Sequence, residues 1–146
     1  TFVGPQSLAG GSPLDPAGPS WQPNAQRYAA GGGNKMGITA LNASLSLIEE
    51  VGIAHIRATN HTLANQLHDG LTRHLPHLRV LRSNDPQHQS CIVVFTSGST
   101  EGDVAILDKL NAAHIYVAQR PAGIRVSPHL FNTTGDIERL LAALGA

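Results

Sequence analysis

The sequence has little of the residue that builds disulfide frameworks and zinc sites, because its 146 residues include a single cysteine, Cys91. One cysteine excludes a disulfide within the chain and a multi-cysteine zinc site. An excess of charge of one sign is also lacking, since ten Lys and Arg residues balance ten Asp and Glu residues. A domain that binds nucleic acid normally carries a basic excess, so no nucleic-acid partner is predicted.

Long apolar runs are absent as well. No stretch approaches the run of about 18 apolar residues that a membrane-spanning helix needs, so no membrane association is predicted. The chain begins at Thr1 without the basic-then-apolar layout of a secretory signal. These features predict a cytoplasmic protein, and the length fits one domain with a buried core.

Residues that break regular structure are concentrated at the start of the chain. Residues 1–34 contain five of the nine prolines and seven of the 15 glycines, and their apolar residues are scattered without a period. Such a composition does not favour regular structure in isolation. We therefore interpret this stretch as an extended segment that lies on another surface.

Beyond this stretch the apolar periodicity predicts four helices and four strands. Helical spacing begins after Gly33 and ends at Val51, and it returns over 53–74, 101–113 and from Thr134 to the end of the chain. Strand-like runs occupy 78–81, 91–96, 115–118 and 124–127, and a turn at 121–123 joins the last two. Thr133 and Asp136 resemble a capping box. This order favours an α+β fold in which helices cover a small, mostly antiparallel sheet.

Two features of the sequence point to anion binding. The run from Gly31 to Asn34 opens the first long helix, where bare backbone amides and the helix dipole suit a phosphate. The spacing matches neither a P-loop nor a dinucleotide fingerprint, so a flexible hinge is the favoured interpretation of the glycines. Arg125 lies inside an apolar strand, where it either faces solvent or binds a carboxylate with both arms of its guanidinium. Arg120 is a second candidate.

Other reactive side chains do not form a recognisable site. The set formed by His74, His77, His88 and Cys91 meets no zinc spacing, so no metal is predicted. Ser127 and His129 are close in sequence, but a nucleophile and its base need spatial contact and an orienting carboxylate. We interpret both as structural.

Two stretches resemble the class V aminotransferases, pyridoxal-phosphate (PLP) enzymes of the aspartate aminotransferase fold. The run from Gly123 to Thr133, GIRVSPHLFNT, resembles the C-terminal signature of the family. The run from Arg27 to Asn34 resembles the family's arginine-aromatic-x-x-Gly-Thr-x-Asn stretch, which precedes a long interdomain helix. The resemblance covers essentially all of the chain, and the subgroup it favours is the isopenicillin N epimerase-like enzymes.

The resemblance implies that this chain is part of a larger enzyme and that its segments have different roles there. Residues 34–146 would form the small C-terminal domain of the aspartate aminotransferase fold, and residues 1–33 would be the tail of a missing large domain. Arg125 would bind the carboxylate of an amino-acid substrate. Gly32, Gly33 and Asn34 would approach the phosphate of PLP in a partner subunit, which implies a homodimer.

The chain also departs from the family pattern. The lysine that binds PLP covalently belongs to the large domain, and neither Lys35 nor Lys109 has its sequence setting. No catalytic residue and no covalently bound PLP are therefore predicted for this chain. Gly32 stands where the family has threonine, which removes a hydroxyl contact to the cofactor phosphate. Residues 116–123 hold no cysteine where desulfurases of this class carry a mobile one, which disfavours desulfurase activity.

The functional prediction is the C-terminal portion of a class V aminotransferase-like enzyme. This portion would supply the carboxylate-binding arginine and the interdomain helix, and it would be inactive alone. The alternative is a non-enzymatic interaction or dimerisation module derived from the same fold. A third hypothesis is a stand-alone anion-binding domain that uses the glycine turn.

Overall fold

The computed structural model describes residues 5–10, 16–29, 31–83 and 85–145. Residues 1–4, 11–15 and 30 of the predicted tail lie outside the described residues. The chain divides into two compact units, Thr1–Ile48 and Glu49–Ala146.

The first unit contains short regular elements that its composition does not predict. Strand β1 (Leu8–Gly10) pairs antiparallel with strand β2 (Ser20–Trp21), and short 3₁₀ helices occupy Pro5–Ser7 and Ala25–Tyr28. The hydroxyl of Ser7 donates a 2.8 Å hydrogen bond to the carbonyl of Ala29. Ser7 and Leu8 are buried, so long-range contacts order a segment in which local propensity is weak.

Two long helices follow at the positions that the apolar spacing predicts. Helix α1 spans Lys35–Val51 and helix α2 spans Ile53–His74, with Gly52 between them at a φ of 84°. No residue of α1 is buried. Ile56, Leu63, Leu67 and Leu71 form the buried stripe of α2, as their spacing indicates.

The second unit is built on a four-stranded sheet. Its strands are β3 (Arg79–Leu81), β4 (Val93–Thr96), β5 (Ala118–Arg120) and β6 (Gly123–Val126), in the spatial order β3-β4-β6-β5. Every pair is antiparallel. Helices α2, α3 (Thr100–Ala112) and α4 (Thr134–Leu144) contribute most of the remaining core residues, and Leu75 and Leu78 between α2 and β3 supply the others. The predicted α+β fold with an antiparallel sheet and covering helices is therefore confirmed.

The core lies between the helices and one face of the sheet. Val93, Phe95 and Ile124 are fully buried and pack with leucines of α2, α3 and α4. A Cβ at Gly70 of α2 would overlap the methyl groups of Leu141 on α4, so the lack of a side chain at Gly70 lets the Leu141 side chain pack directly against α2.

The predicted strand at 115–118 is wrong, because pairing begins only at Ala118 and runs to Arg120. His114 adopts a left-handed φ of 56° at the end of α3, and the N–H of Ile115 bonds back to the carbonyl of Leu110. Ile115 and Val117 then pack on the core instead of joining the ladder. Their apolar, β-branched character reflects burial, which propensity alone does not distinguish from strand pairing.

Both helices that flank the last strands begin at side-chain caps. Ser99 accepts a hydrogen bond from the N–H of Gly102 at the start of α3. The predicted capping box of α4 is confirmed, since Thr133 and Asp136 exchange side-chain and backbone hydrogen bonds. No helix in the described part of the chain combines the length and apolar character of a membrane span.

Candidate functional site

The tight connection between β5 and β6 positions the candidate site. Arg120 pairs with Gly123, so the turn consists of Pro121 and Ala122 alone. Gly123 has a φ of 135°, and a Cβ there would overlap the carbonyl oxygen of Phe95. Only glycine allows β6 to approach β4 this closely, and the approach fixes the register of the residues that follow.

Arg125 lies on the face of the sheet opposite the core. Its neighbours Ile124 and Val126 are buried against the helices, and successive side chains on a strand point to opposite faces. Arg125 pairs with Val94 on one side and Ala118 on the other. The side chain is half-buried, and its Nε is fully buried without a hydrogen-bond partner among the described residues.

In the described part of the chain, the Nε–H group of Arg125 lacks the hydrogen-bond acceptor that a buried donor needs. A buried N–H without an acceptor costs about 1–3 kcal/mol, and more when the group is charged. The guanidinium forms no ion pair with the described carboxylates, whose ion pairs involve only His68 and His88. A planar, bidentate anion such as a carboxylate would satisfy the group.

The residues after Arg125 hold the strand end in place rather than forming a nucleophile–base pair. Ser127 is exposed and makes no hydrogen bond to His129 within the described chain. The N–H of His129 donates to the Asn132 side chain at 3.0 Å, and the N–H of Asn132 returns to the His129 carbonyl at 2.8 Å. The His129 ring lies 5.3 Å from the ring of Phe131. These contacts support the structural interpretation of Ser127 and His129.

The glycine turn belongs to the first unit. Asn34 caps α1, because its side-chain oxygen accepts from the N–H of Gly37 and its carbonyl accepts from the N–H of Ile38, both at 2.9 Å. Gly32 is exposed with no atom near the position of a Cβ, and Gly33 is exposed next to Ile38. Their amide groups donate to none of the described residues. Exposed amides before a capped helix are a donor set of the kind that binds phosphate groups.

Neither of the two lysines, Lys35 and Lys109, lies in an environment that would activate its amine. Lys109 is exposed on α3, whose Leu110 packs on the core face of the sheet, the face opposite Arg125. Its Nζ contacts the carbonyl of Leu144 at 3.4 Å. Lys35 is the exposed first residue of α1. Neither side chain is desolvated or paired in a way that would mark a reactive amine.

A buried carboxylate that the sequence reading missed lies at the start of α3. Asp103 is 6% exposed and accepts hydrogen bonds from the hydroxyl of Thr96 (2.8 Å) and from the N–H (2.7 Å) and hydroxyl (2.8 Å) of Ser97. Burial acts to raise the pKa of Asp103, but these donors outweigh it and hold the pKa below its usual value. Because its donors lie at the end of β4 and in the residue after it, Asp103 holds the start of α3 against the end of β4. The serines around a helix start are the sequence signal that would have indicated it.

No metal centre is assembled in the described residues, since nowhere do three His, Cys, Asp or Glu side chains come within ligating range of one another. Cys91 is half-buried just before β4, at the end of the sheet opposite the β5–β6 turn.

Comparison with known proteins identifies the family. The aminotransferase class-V model matches residues 5–140. A cysteine desulfurase from Klebsiella pneumoniae is 30% identical over 139 residues, which cover 87% of this chain and 33% of the relative. The chain therefore belongs to the class-V aminotransferase family, as its two sequence stretches predict.

Solved structures share the fold. A cysteine desulfurase from Thermococcus onnurineus superposes with a TM-score of 0.82 at 20% identity, over 98% of this chain and 38% of that chain. The cystine C-S lyase C-DES, in complex with its product cysteine persulfide, gives a TM-score of 0.78 at 28% identity, over 99% of this chain and 37% of that chain. A variant of C-DES has glycine covalently linked to its PLP cofactor. The chain spans about a third of the length of these relatives. These relatives are desulfurases and a lyase, so the isopenicillin N epimerase-like subgroup stays a prediction.

Proposed function

We propose that this chain is the substrate-binding C-terminal portion of a PLP-dependent class-V enzyme that acts on an amino acid. The observation that carries the proposal is Arg125, whose buried Nε has no partner among the described residues and whose side chain lies on the open face of the sheet. In this role the guanidinium binds the α-carboxylate of the substrate through two parallel hydrogen bonds. It thereby fixes the orientation of the α-carbon.

The cofactor contact is assigned to the glycine turn. The amides of Gly32 and Gly33 and the start of α1 would hold the PLP phosphate, while Asn34 keeps that helix start capped. When bound, PLP supplies an electron sink for negative charge that develops at the substrate α-carbon. The proposed partner for this contact is a second subunit of a homodimer, and the proposed compartment is the cytoplasm.

The remaining catalytic parts are assigned to a large domain outside this chain. The chain spans about a third of its relatives' length, and its own lysines are exposed and lack reactive surroundings. The chain alone should therefore have no turnover. The test compares amino-acid turnover by the complete enzyme with turnover by residues 1–146 alone. Turnover only in the complete enzyme supports the proposal, whereas a complete protein with neither turnover nor PLP binding would favour the interaction-module alternative.

A second candidate reaction is carbon–sulfur bond cleavage without sulfur transfer to a protein cysteine. The β5–β6 turn has only Pro121 and Ala122, so it offers no loop for a mobile thiol, and Cys91 lies at the other end of the sheet. C-DES, at 28% identity, is a lyase that acts on cystine. Incubation of the complete enzyme with cystine distinguishes the outcomes. Persulfide release that survives Cys91→Ser supports this candidate, and loss of persulfide release on Cys91→Ser contradicts it.

A further inference from the structure

All three arginines of the four-stranded sheet lie on its open face. Val80, Phe95 and Ile124 form a row on the core face, so alternation places Arg79, Arg120 and Arg125 on the other face. The four strands contain no Asp, Glu or Lys. The strands themselves therefore bring only cations to the open face. The nearest carboxylate, that of Asp103, lines a cavity with Arg120 but is already held by hydrogen bonds from Thr96 and Ser97.

Arg120 and Arg125 are close neighbours on this face. Ala118 pairs with Arg125 and Arg120 pairs with Gly123, so the two arginines occupy diagonal positions on adjacent strands. Cα atoms at diagonal positions are about 7–8 Å apart, within reach of long side chains. Arg79 lies at the far edge of the sheet, two strands away from Arg125.

Neither arginine of the pair has an anionic partner among the described residues. Arg120 is exposed, and its Nη1 donates only to the carbonyl of the adjacent Gln119 at 2.8 Å. Nε of Arg125 has no acceptor. Two like charges at neighbouring positions on a sheet repel each other, so the pair gains stability when an anion binds between or beside the guanidinium groups.

We infer that Arg120 binds a second anionic group of the substrate, and that the enzyme acts on amino acids with an acidic side chain. This inference rests on the proposed binding of the α-carboxylate by Arg125. Amino acids such as aspartate and glutamate place two carboxylates a few carbons apart, which matches two guanidinium groups on adjacent strands. Arg120 is then a specificity-determining residue, because it contacts the side chain of the substrate and not the group common to all amino acids.

The test uses the complete enzyme with Arg120→Gln and the matched control Arg79→Gln, which removes an arginine from the same face at the far edge. One measurement is kcat/KM for aspartate, glutamate and alanine. A second measurement, independent of turnover, is the equilibrium affinity for succinate and for butyrate, a dicarboxylate and a monocarboxylate of equal carbon number. We expect Arg120→Gln to weaken aspartate, glutamate and succinate by about ten- to a hundredfold and to change alanine and butyrate less than about twofold.

The control Arg79→Gln and the conservative variant Arg120→Lys test whether the effect depends on the charge at Arg120. Arg79→Gln should leave the ratio of succinate to butyrate affinity unchanged, and Arg120→Lys should restore part of that ratio because the charge is kept. A loss shared equally by dicarboxylates and monocarboxylates, or no loss, would overturn the inference. If Arg125→Lys impairs alanine and aspartate while Arg120→Gln impairs neither, only this inference fails. If Arg125→Lys impairs neither amino acid, the proposed function fails as well.

Discussion

Arg120 and Arg125 occupy diagonal positions on the antiparallel strands β5 and β6, on the sheet face that the helices leave uncovered. The two-residue turn at Pro121 and Ala122 creates this relationship, since it sets which residues of the two strands pair. A shift of one residue would send Arg125 into the core and expose Ile124. The same register that buries the core therefore presents the cationic pair.

Gly123 should be intolerant of a side chain. A Cβ would overlap the carbonyl oxygen of Phe95, and the φ of 135° is strained for any other residue. We expect Gly123→Ala to lower the free energy of unfolding by at least about 1 kcal/mol, measured by urea denaturation. Gly32→Ala is the matched control, because no atom lies near its Cβ position and its φ is not positive. Equal effects of the two substitutions would show that Gly123 does not set the strand approach.

Asp103 should contribute stability that disappears in acid. Its donors hold the pKa of the folded state below the unfolded value of about 3.9, so the contribution is complete above that pH and is lost as the pH falls through the folded pKa. We expect Asp103→Asn to cost about 1–3 kcal/mol at pH 7, because the buried hydroxyl of Thr96 and the partly buried donors of Ser97 lose a charged acceptor.

Measuring the effect of Asp103→Asn at acid pH as well as at pH 7 tests whether the effect comes from the charged form of Asp103. The difference in free energy of unfolding between wild type and Asp103→Asn should shrink well below pH 4. Asp108→Asn removes a negative charge at an exposed position of the same helix and is the control, with an expected cost of less than about 0.5 kcal/mol at pH 7. A wild-type advantage that stays constant down to the lowest pH would contradict the assigned hydrogen bonds.

The isolated chain should not bind PLP covalently. Lys35 and Lys109 are both exposed, and Lys109 lies on the helix side of the sheet, away from Arg125. We expect no stoichiometric lysine adduct after incubation with PLP and borohydride, as measured by mass spectrometry. A stoichiometric adduct trapped on Lys35 or on Lys109 would mean that this chain carries the cofactor lysine.

Elements with a strong local signal could be predicted from the sequence. Helix α2 begins and ends where the stripe from Ile56 to Leu71 and the stop before Pro76 indicate, and α4 begins at its Thr133 cap. The strand prediction at 115–118 was wrong because the apolar side chains of Ile115 and Val117 serve burial against the core and not strand pairing. The short strands of the first unit depend on long-range contacts such as that between Ser7 and Ala29, which no local pattern reveals.

The site was only partly visible in the sequence. Arg125 could be singled out because a charge interrupts an apolar strand, but its lack of a partner depends on what the other strands place beside it. The pairing of Arg120 with Gly123 could not be predicted, because the predicted strand at 115–118 ends before Arg120, whereas β5 spans Ala118–Arg120. The Asp103 network joins residues six and seven positions apart through a turn that propensity does not specify.

The most direct measurement of the central claim is the effect of Arg125→Lys on the complete enzyme. Lysine keeps the charge but loses the two parallel hydrogen bonds, so kcat/KM for its amino-acid substrates should fall by about thirty- to several-hundredfold. The affinity for PLP should not change, because Arg125 is assigned to the substrate, and Arg79→Lys on the same sheet face should leave both quantities unaltered. An unchanged kcat/KM in Arg125→Lys, or a loss explained by weaker PLP binding, would contradict the assignment of Arg125 to the substrate carboxylate.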